Sequence, residues 1–312
     1  MIGTPSCKRW VWSTALLLLL GCKPIPPAVE AFVPRELLDA GEPPRAPLRY
    51  AVVDGTTTTA TLSWKIAPRE RGASSVSISG LRTLELKAVA GPAKLDQGEI
   101  EYHFEIVDSK AKAGAAASRR LVEDIEQSGA QLKGMGFFVA INDLGNVLAK
   151  RSDQNAGDLP LRLLWMIYNT MDFVHVPFLP EEPVGIGGRW LVRHRLTLYG
   201  IKMVQESTYT LVERTDNEVV LDWTFERVGR RQVVDFPEHD ALLEVESARM
   251  TAAGRIRLDV TALGSNADLT GRINNLVVLV EDGVRKNRTI NEAFEFRARS
   301  TTTVREVESG SE

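Results

Sequence analysis

The sequence predicts an α+β protein made mostly of antiparallel sheet, with two strand-rich blocks and a helical segment between them. Three observations predict it. Apolar and polar residues alternate over most of the chain from Leu48 onward, which is the period of half-buried strands. The other face of those strands is charged, which favours antiparallel sheet with one wet face over parallel sheet buried on both. Two central stretches, 118–132 and 159–172, change to helical spacing. A sheet of this kind can curve into a half-barrel around the second helix.

The first block opens with strands over 48–53 and 57–66, on either side of Asp54-Gly55, a dipeptide favoured between paired strands. Val76 and Ile78 start another strand, and Leu84, Leu86 and Ala88 alternate with Thr83, Glu85 and Lys87. Ile100, Tyr102, Phe104 and Ile106 share one face against Glu101, His103 and Glu105. Small residues over 111–117 lead into the first helix, where Leu121, Ile125 and Leu132 sit at helical spacing. Strands at 137–141 and 146–149 enclose Asp143-Leu144-Gly145 as a hairpin. Asp158 is placed to cap the second helix, with Pro160 in its first turn, where proline is tolerated. That helix has almost no polar face. A helix apolar all round is buried, or it faces an apolar ligand or a membrane.

The proline-bearing segment Val174-His175-Val176-Pro177-Phe178-Leu179-Pro180 leads to the second block. Strands are expected there over 190–198, 219–225, 242–250, 255–261, 273–281 and 293–304. Thr215-Asp216-Asn217, Ala253-Gly254 and Asp282-Gly283 are read as the turns between them.

The start of the chain is built differently. Lys8 and Arg9 precede an uncharged run from Trp10 to Leu20, the order of a signal peptide. The run is shorter than the roughly 20 apolar residues a spanning helix needs. Leu19-Leu20-Gly21-Cys22 resembles the lipobox of bacterial lipoproteins, a resemblance confined to the signal segment and Cys22. It implies cleavage before Cys22, a diacylglyceryl group on the Cys22 sulfur and acylation of the new amine. Each buried CH₂ contributes about 0.8 kcal/mol, so two chains hold stably where one holds marginally. Lys23 stands where an aspartate would imply retention in the inner membrane, so the resemblance implies the outer membrane, facing the periplasm, in a Gram-negative cell. The segment from Pro180 to Trp190 is similar to one found in uncharacterised secreted β-rich bacterial lipoproteins, which implies no activity.

The expected division is a signal peptide over 1–21 and a lipidated cysteine with a proline-rich tether over 22–47. An N-terminal strand block with two helices follows over 48–180, then a C-terminal antiparallel block over 181–305 and a disordered tail over 306–312.

Several kinds of chemistry are excluded. The chain carries a net charge of −3, more negative once Lys8 and Arg9 are removed, and a mildly acidic chain without a basic run is a poor partner for nucleic acid. Cys7 leaves with the signal and Cys22 is consumed by lipid, so no thiol remains for a disulfide, a thiolate metal site or a nucleophile. Gly185-Ile186-Gly187-Gly188 has prolines before it and a strand after it, which suits a turn and not a dinucleotide loop. There is no Gly-x-Ser-x-Gly elbow. His194 falls on the apolar face of its strand, where a hydrogen-bonded core or edge histidine outweighs a buried base. His103 falls on a polar face, and Asp172 and His175 flank the end of the apolar helix. Asp235, Glu238, His239 and Asp240 gather in a proline-containing turn without metal-ligand spacing. No catalytic residue, metal or cofactor is expected.

Trp165, Tyr168, Met171 and Phe178 form the candidate ligand site, with plain core as the competing reading of the same residues. The expected function is that of a lipid-anchored, non-enzymatic cell-envelope protein binding an apolar ligand or an envelope protein partner. A periplasmic hydrolase with a site assembled from distant residues, or a purely structural envelope component, is the alternative.

Replacing the anchoring cysteine tests the first step of this reading. Cys22→Ser should leave the precursor uncut and unlabelled by a palmitate analogue that labels the native chain. Equal labelling of the two would contradict it.

Overall fold

The computed structural model describes residues 33–68, 81–94, 99–113, 119–152, 176–198, 200–236, 241–281 and 284–304. In chain order its elements are β1 (Arg35–Asp39), β2 (Thr56–Pro68), β3 (Leu81–Lys94), β4 (Ile100–Ala113), α1 (Arg119–Gln131), β5 (Gly136–Ile141), β6 (Val147–Ser152), β7 (Arg189–Leu198), β8 (Ile201–Arg214), β9 (Glu218–Gly229), β10 (Gln232–Phe236), β11 (Ala241–Asp259), β12 (Ser265–Glu281) and β13 (Val284–Val304). The strands form one antiparallel sheet in the order β1-β7-β8-β9-β11-β12-β13-β2-β3-β4-β5-β6, with β10 beside β11. The fold class is the expected one. The second helical stretch, the signal segment and the tail lie outside the described residues.

The two strand blocks share a single sheet because β2 pairs with β13, from Thr56 opposite Val304 to Pro68 opposite Glu292. At the opposite flank β1 pairs with β7. The second block is therefore held between two strands that precede it in the chain. Residues 40–55 cross between these flanks along one end of the sheet. Glu42 donates its N–H to the Ile186 carbonyl at 2.8 Å, and Ala51 and Val53 donate to Val260 and Thr261 at 2.9 Å.

This crossing corrects two expectations. Residues 48–53 are not a strand: their amides bond to turns, although Leu48, Tyr50 and Val52 are buried. Asp54-Gly55 turns the chain into β2 without pairing the segments on either side. The stretch expected to be a poorly packing tether is also part of the fold from Val33 onward, where Val33 is buried and Arg35–Asp39 is β1. Prolines disqualify a segment from the middle of a sheet. They do not prevent it from packing across strand ends.

Arg35 completes the closure. It donates from Nε to the Leu179 carbonyl at 2.7 Å and from Nη1 to Val33 at 2.9 Å. From Nη2 it reaches the Leu144 carbonyl at 3.3 Å and Asn146 Oδ1 at 2.8 Å. Leu144 and Asn146 lie in the turn between β5 and β6, whereas Arg35 is on β1, and β1 and β6 are the two edges of the sheet. One side chain on the first edge so holds the hairpin of the other. Leu179 donates to the same Leu144 carbonyl at 2.9 Å, and the Tyr50 hydroxyl donates to Pro177 at 2.7 Å. The sheet curls until its edges meet at one end. No ladder joins β1 to β6 among the described residues, so the barrel stays open.

The main core draws on β2–β5, β7–β9 and β11–β13 together, which requires one concave face shared by both blocks. Helix α1 lies against β4 with Ile125 buried, and Leu132, just past its end, is buried as well, as their spacing predicts. The turn expected at Ala253-Gly254 is absent, and β11 runs straight through it. A Cβ on Gly254 would lie 2.0 Å from the Asp268 carbonyl oxygen, so this glycine marks a close approach of neighbouring strands.

The outer face is charged. Arg255 pairs with Asp222 at 2.7 Å, Arg249 with Glu226 at 2.6 Å and Arg299 with Asp268 at 2.8 Å. Exposed pairs of this kind add little stability. An arginine facing the middle of a bilayer from a strand costs about 2–4 kcal/mol.

Arg35→Met should lower stability by about 3 kcal/mol or more in urea unfolding, because it leaves several carbonyls without the charged donor they face. Arg255→Met, on the outer face, should leave the urea midpoint nearly unchanged.

Candidate functional site

The inner face is laid out in rows set by strand register. One row runs Leu37, Trp190, Tyr209, Trp223, Gly254, Leu269, Phe296, Trp64 and Leu84, each paired with the next. Trp190 stacks on Tyr209 at 5.5 Å between ring centres, and Tyr209 on Trp223 at 5.9 Å. Trp64 packs against Phe296 at 5.1 Å and Phe294 at 5.2 Å. Gly254 sits where the row passes from Trp223 to Leu269.

Two residues along each strand, the next row runs Val192, Ser207, Phe225, Ala252, Gly271, Phe294 and Ile66. A Cβ on Gly271 would meet the Phe294 ring at 2.3 Å, so the missing side chain leaves the space this ring occupies.

The third row changes character. It runs His194, Gln205, Arg227, Met250, Ile273, Glu292 and Pro68. Gln205 is 2 %, Arg227 2 % and Glu292 3 % exposed. Burying such groups is costly unless each is paired or used. Arg227 donates from Nε to Gln205 Oε1, and Gln205 Nε2 donates to Ser207 Oγ at 2.8 Å. Arg227 also lies 5.0 Å from the Phe225 ring centre, and its Nη1 is 3.9 Å from Met250 Sδ. A smaller apolar cluster with Ile201, Met203, Val245, Val277 and Ile290 lies beyond this row.

Three phenols lie fully inside. Burial holds Tyr50, Tyr102 and Tyr209 above the ordinary tyrosine range. For Tyr209 the effect of burial is opposed by hydrogen bonds with Ser207 and the Phe178 backbone, and by the charges of Arg35 and Arg227.

Of the four residues expected to form the ligand site, Phe178 is placed on this face. It is buried, its carbonyl accepts the Trp190 indole N–H at 2.8 Å, and its ring lies 5.2 Å from His194. Trp165, Tyr168 and Met171 lie outside the described residues, as do Cys22, Asp172, His175, Glu238, His239 and Asp240. His194 is half-buried on the inner face, and His103 stacks on Phe138 at 4.3 Å on the outer one. The glycine loop is a turn: Gly185 donates to Ala40, Gly187 to Leu211 and Gly188 to Gly185. Those amides are used within the fold and form no phosphate cradle.

Apart from His194, the polar residues of the third row were missed in the sequence, although a signal for them exists. Arg227 has the parity of Leu221, Trp223 and Phe225, and Glu292 has that of Phe294 and Phe296. A charge at an apolar parity is what marks an inward polar residue.

No family model matches the chain, and no curated protein matches it. Among solved structures it is similar to three engineered variants of a Rh. blastica porin at 8% identity. Each match covers 79% of this chain and 99% of that chain, with a TM-score of 0.18. A superposition at that level carries no argument about fold or function. No helix among the described residues is long and apolar enough to cross a membrane. Among the same residues, no cluster of His, Cys, Asp and Glu gathers as a metal site.

The phenols give a pH prediction. Because their native values are raised, the stability they carry is fully present below about pH 10, the unfolded value, and is lost as pH climbs from there. At pH 11 the folded chain should show tyrosinate absorbance from no more than two of its five tyrosines, and from all five in urea. More than two ionising in the folded chain would contradict the burial.

Proposed function

We propose that the chain is a lipid-anchored, non-enzymatic cell-envelope protein whose curved sheet takes up an apolar ligand on its inner face. The observation that supports this most is the polar row set into an aromatic face. An arginine, a glutamate and a glutamine in register are uncommon in plain core, and a ligand with an apolar body and a polar group has a use for such a row. Ligand sites are lined mostly by apolar and aromatic side chains with a few placed polar ones, and Trp190, Trp223, Phe225 and Arg227 have that composition. Anchoring rests on the lipobox resemblance at Cys22, and the outer membrane on Lys23. The charged outer face suits a domain held beside a membrane and not strands embedded in one.

Binding of an envelope protein partner has its own support. Val233 is 65 % exposed, and the neighbouring pair Val204 and Val228 is also open on the outer face. Exposed Lys202 and Arg230 interrupt this patch, which makes it the weaker reading.

Lipids extracted from the purified full chain and identified by mass spectrometry test the ligand reading. About one amphiphile per chain, beyond lipid bound covalently at Cys22, is the expected result. A chain that carries no such lipid and binds no fluorescent acyl probe would overturn it.

A further inference from the structure

We infer that the end of the sheet bearing the β7–β8 and β9–β10 turns rests on the lipid bilayer that carries the Cys22 anchor, through exposed valines and the neighbouring cations Lys202 and Arg230. This rests on the anchor reading above and is independent of the ligand site. Val204 and Val228 face each other across β8 and β9, and exposed Val233 follows on β10. Leu242 and Leu276 are exposed on β11 and β12 toward the same end. Exposed apolar residues grouped among polar ones mark contact surfaces. The cations are set among them. Gln232 accepts the Lys202 N–H at 2.7 Å and donates to the Lys202 carbonyl at 3.0 Å and the Arg230 carbonyl at 2.9 Å. One amide thus holds the backbones of two exposed cations together between the valines. Neither cation has an ion pair among the described residues. The acids nearby are largely matched, Glu244 with Arg285 at 2.5 Å and Glu246 with Arg231 at 3.2 Å, leaving Asp235 as the exposed acid of β10.

The route of the chain assigns the occupant. Strand β1 runs antiparallel to β7, with Arg35 opposite Val192 and Asp39 opposite Arg189, and Arg193 donates to the Pro34 carbonyl. Followed toward the N-terminus, β1 therefore points to the Leu198 end of β7, which is the end of Lys202 and Arg230. Five residues of β7 separate Arg193 from Leu198, about 17 Å. The eleven residues 22–32 span at most about 36–40 Å, so a lipidated Cys22 can reach a bilayer lying against this end. Leu38, Val53 and Ile186 are exposed at the crossing end, but Glu42, Glu181, Glu182 and Asp216 are exposed beside them, and lipid phosphates disfavour that side. A protein interface suits the valine patch less well, because lysine is depleted from such interfaces. A bilayer surface takes apolar residues and cations together.

The test uses the lipidated full chain in vesicles of phosphatidylethanolamine and phosphatidylglycerol. Cys7 leaves with the signal and Cys22 carries lipid, so Val233→Cys or Asp216→Cys supplies the free thiol that takes a fluorophore. Nitroxide-bearing lipids should quench the label at position 233 several-fold more than the label at position 216, which lies at the opposite end. Lys202→Glu together with Arg230→Glu should reduce that difference by about half or more. Equal quenching at the two positions, or stronger quenching at 216, would overturn the inference and leave the anchor reading standing, whether or not the charge variant folds. A difference that survives the charge reversal intact would overturn the assignment to these cations. A label at 233 that is shielded in native envelopes yet open to water in the vesicles would overturn the inference in favour of a protein partner. A chain that does not float with the vesicles would overturn the anchor reading and this inference with it.

Discussion

The structure depends on how a single sheet covers its own apolar face. A sheet must bury that face against another layer or against itself. Among the described residues α1 covers only part of β4, and the rest is met by curvature, with the two edges brought together around the segment 176–180. Arg35 is the group that joins them. Burial draws its pKa below the ordinary arginine value, an effect Glu181 opposes, yet the charge is well used because four oxygens surround it. A guanidinium suits this place, since its fixed fork of donors can reach carbonyls on three separate segments at once.

The rows of the inner face follow from that closure. In register, the aromatic row stacks across β7, β8 and β9, and glycines open the places where rings or strands come closest. Gly254 and Gly271 weaken their strands as isolated residues, and both are retained where a side chain would strike a neighbour. The buried polar row runs against stability as well. Such departures from a consistent apolar core concentrate where a protein does its work, which is why the row, and not the wider core, directs the functional reading.

Much of the local structure was legible in the sequence. The period-two alternation of β3, β4, β7 and β9, the face of α1 and the hairpin turn at Asp143-Leu144-Gly145 all follow from short-range patterning. The glycine loop before Trp190 was legible too, because prolines before it and a strand after it leave a turn as the consistent choice. Strand order was not legible. That β2 joins β13 and β1 joins β7 is a matter of long-range pairing, which alternation does not encode. Strand β8 was not legible because the inward Gln205 and Ser207 interrupt its apolar alternation, and β10 because it is only five residues long. Arg35 was hidden among prolines that suggested a spacer. At the candidate site, Phe178 is legible from its apolar context, whereas Arg227 and Glu292 were not singled out, because their inward position shows only in the parity they share with neighbouring aromatic residues.

The account's central claim is that one side chain couples the two edges of the sheet, and amide hydrogen exchange of native and Arg35→Met chains tests it most directly. In the native chain the Leu179 and Tyr50 amides, bonded to Leu144 and Asp143, should be protected along with β1. In Arg35→Met, protection should fall together in β1, in 176–180 and in the turn between β5 and β6, while the ladder between β12 and β13 stays protected. Loss confined to β1, with the far hairpin turn as protected as before, would contradict the account.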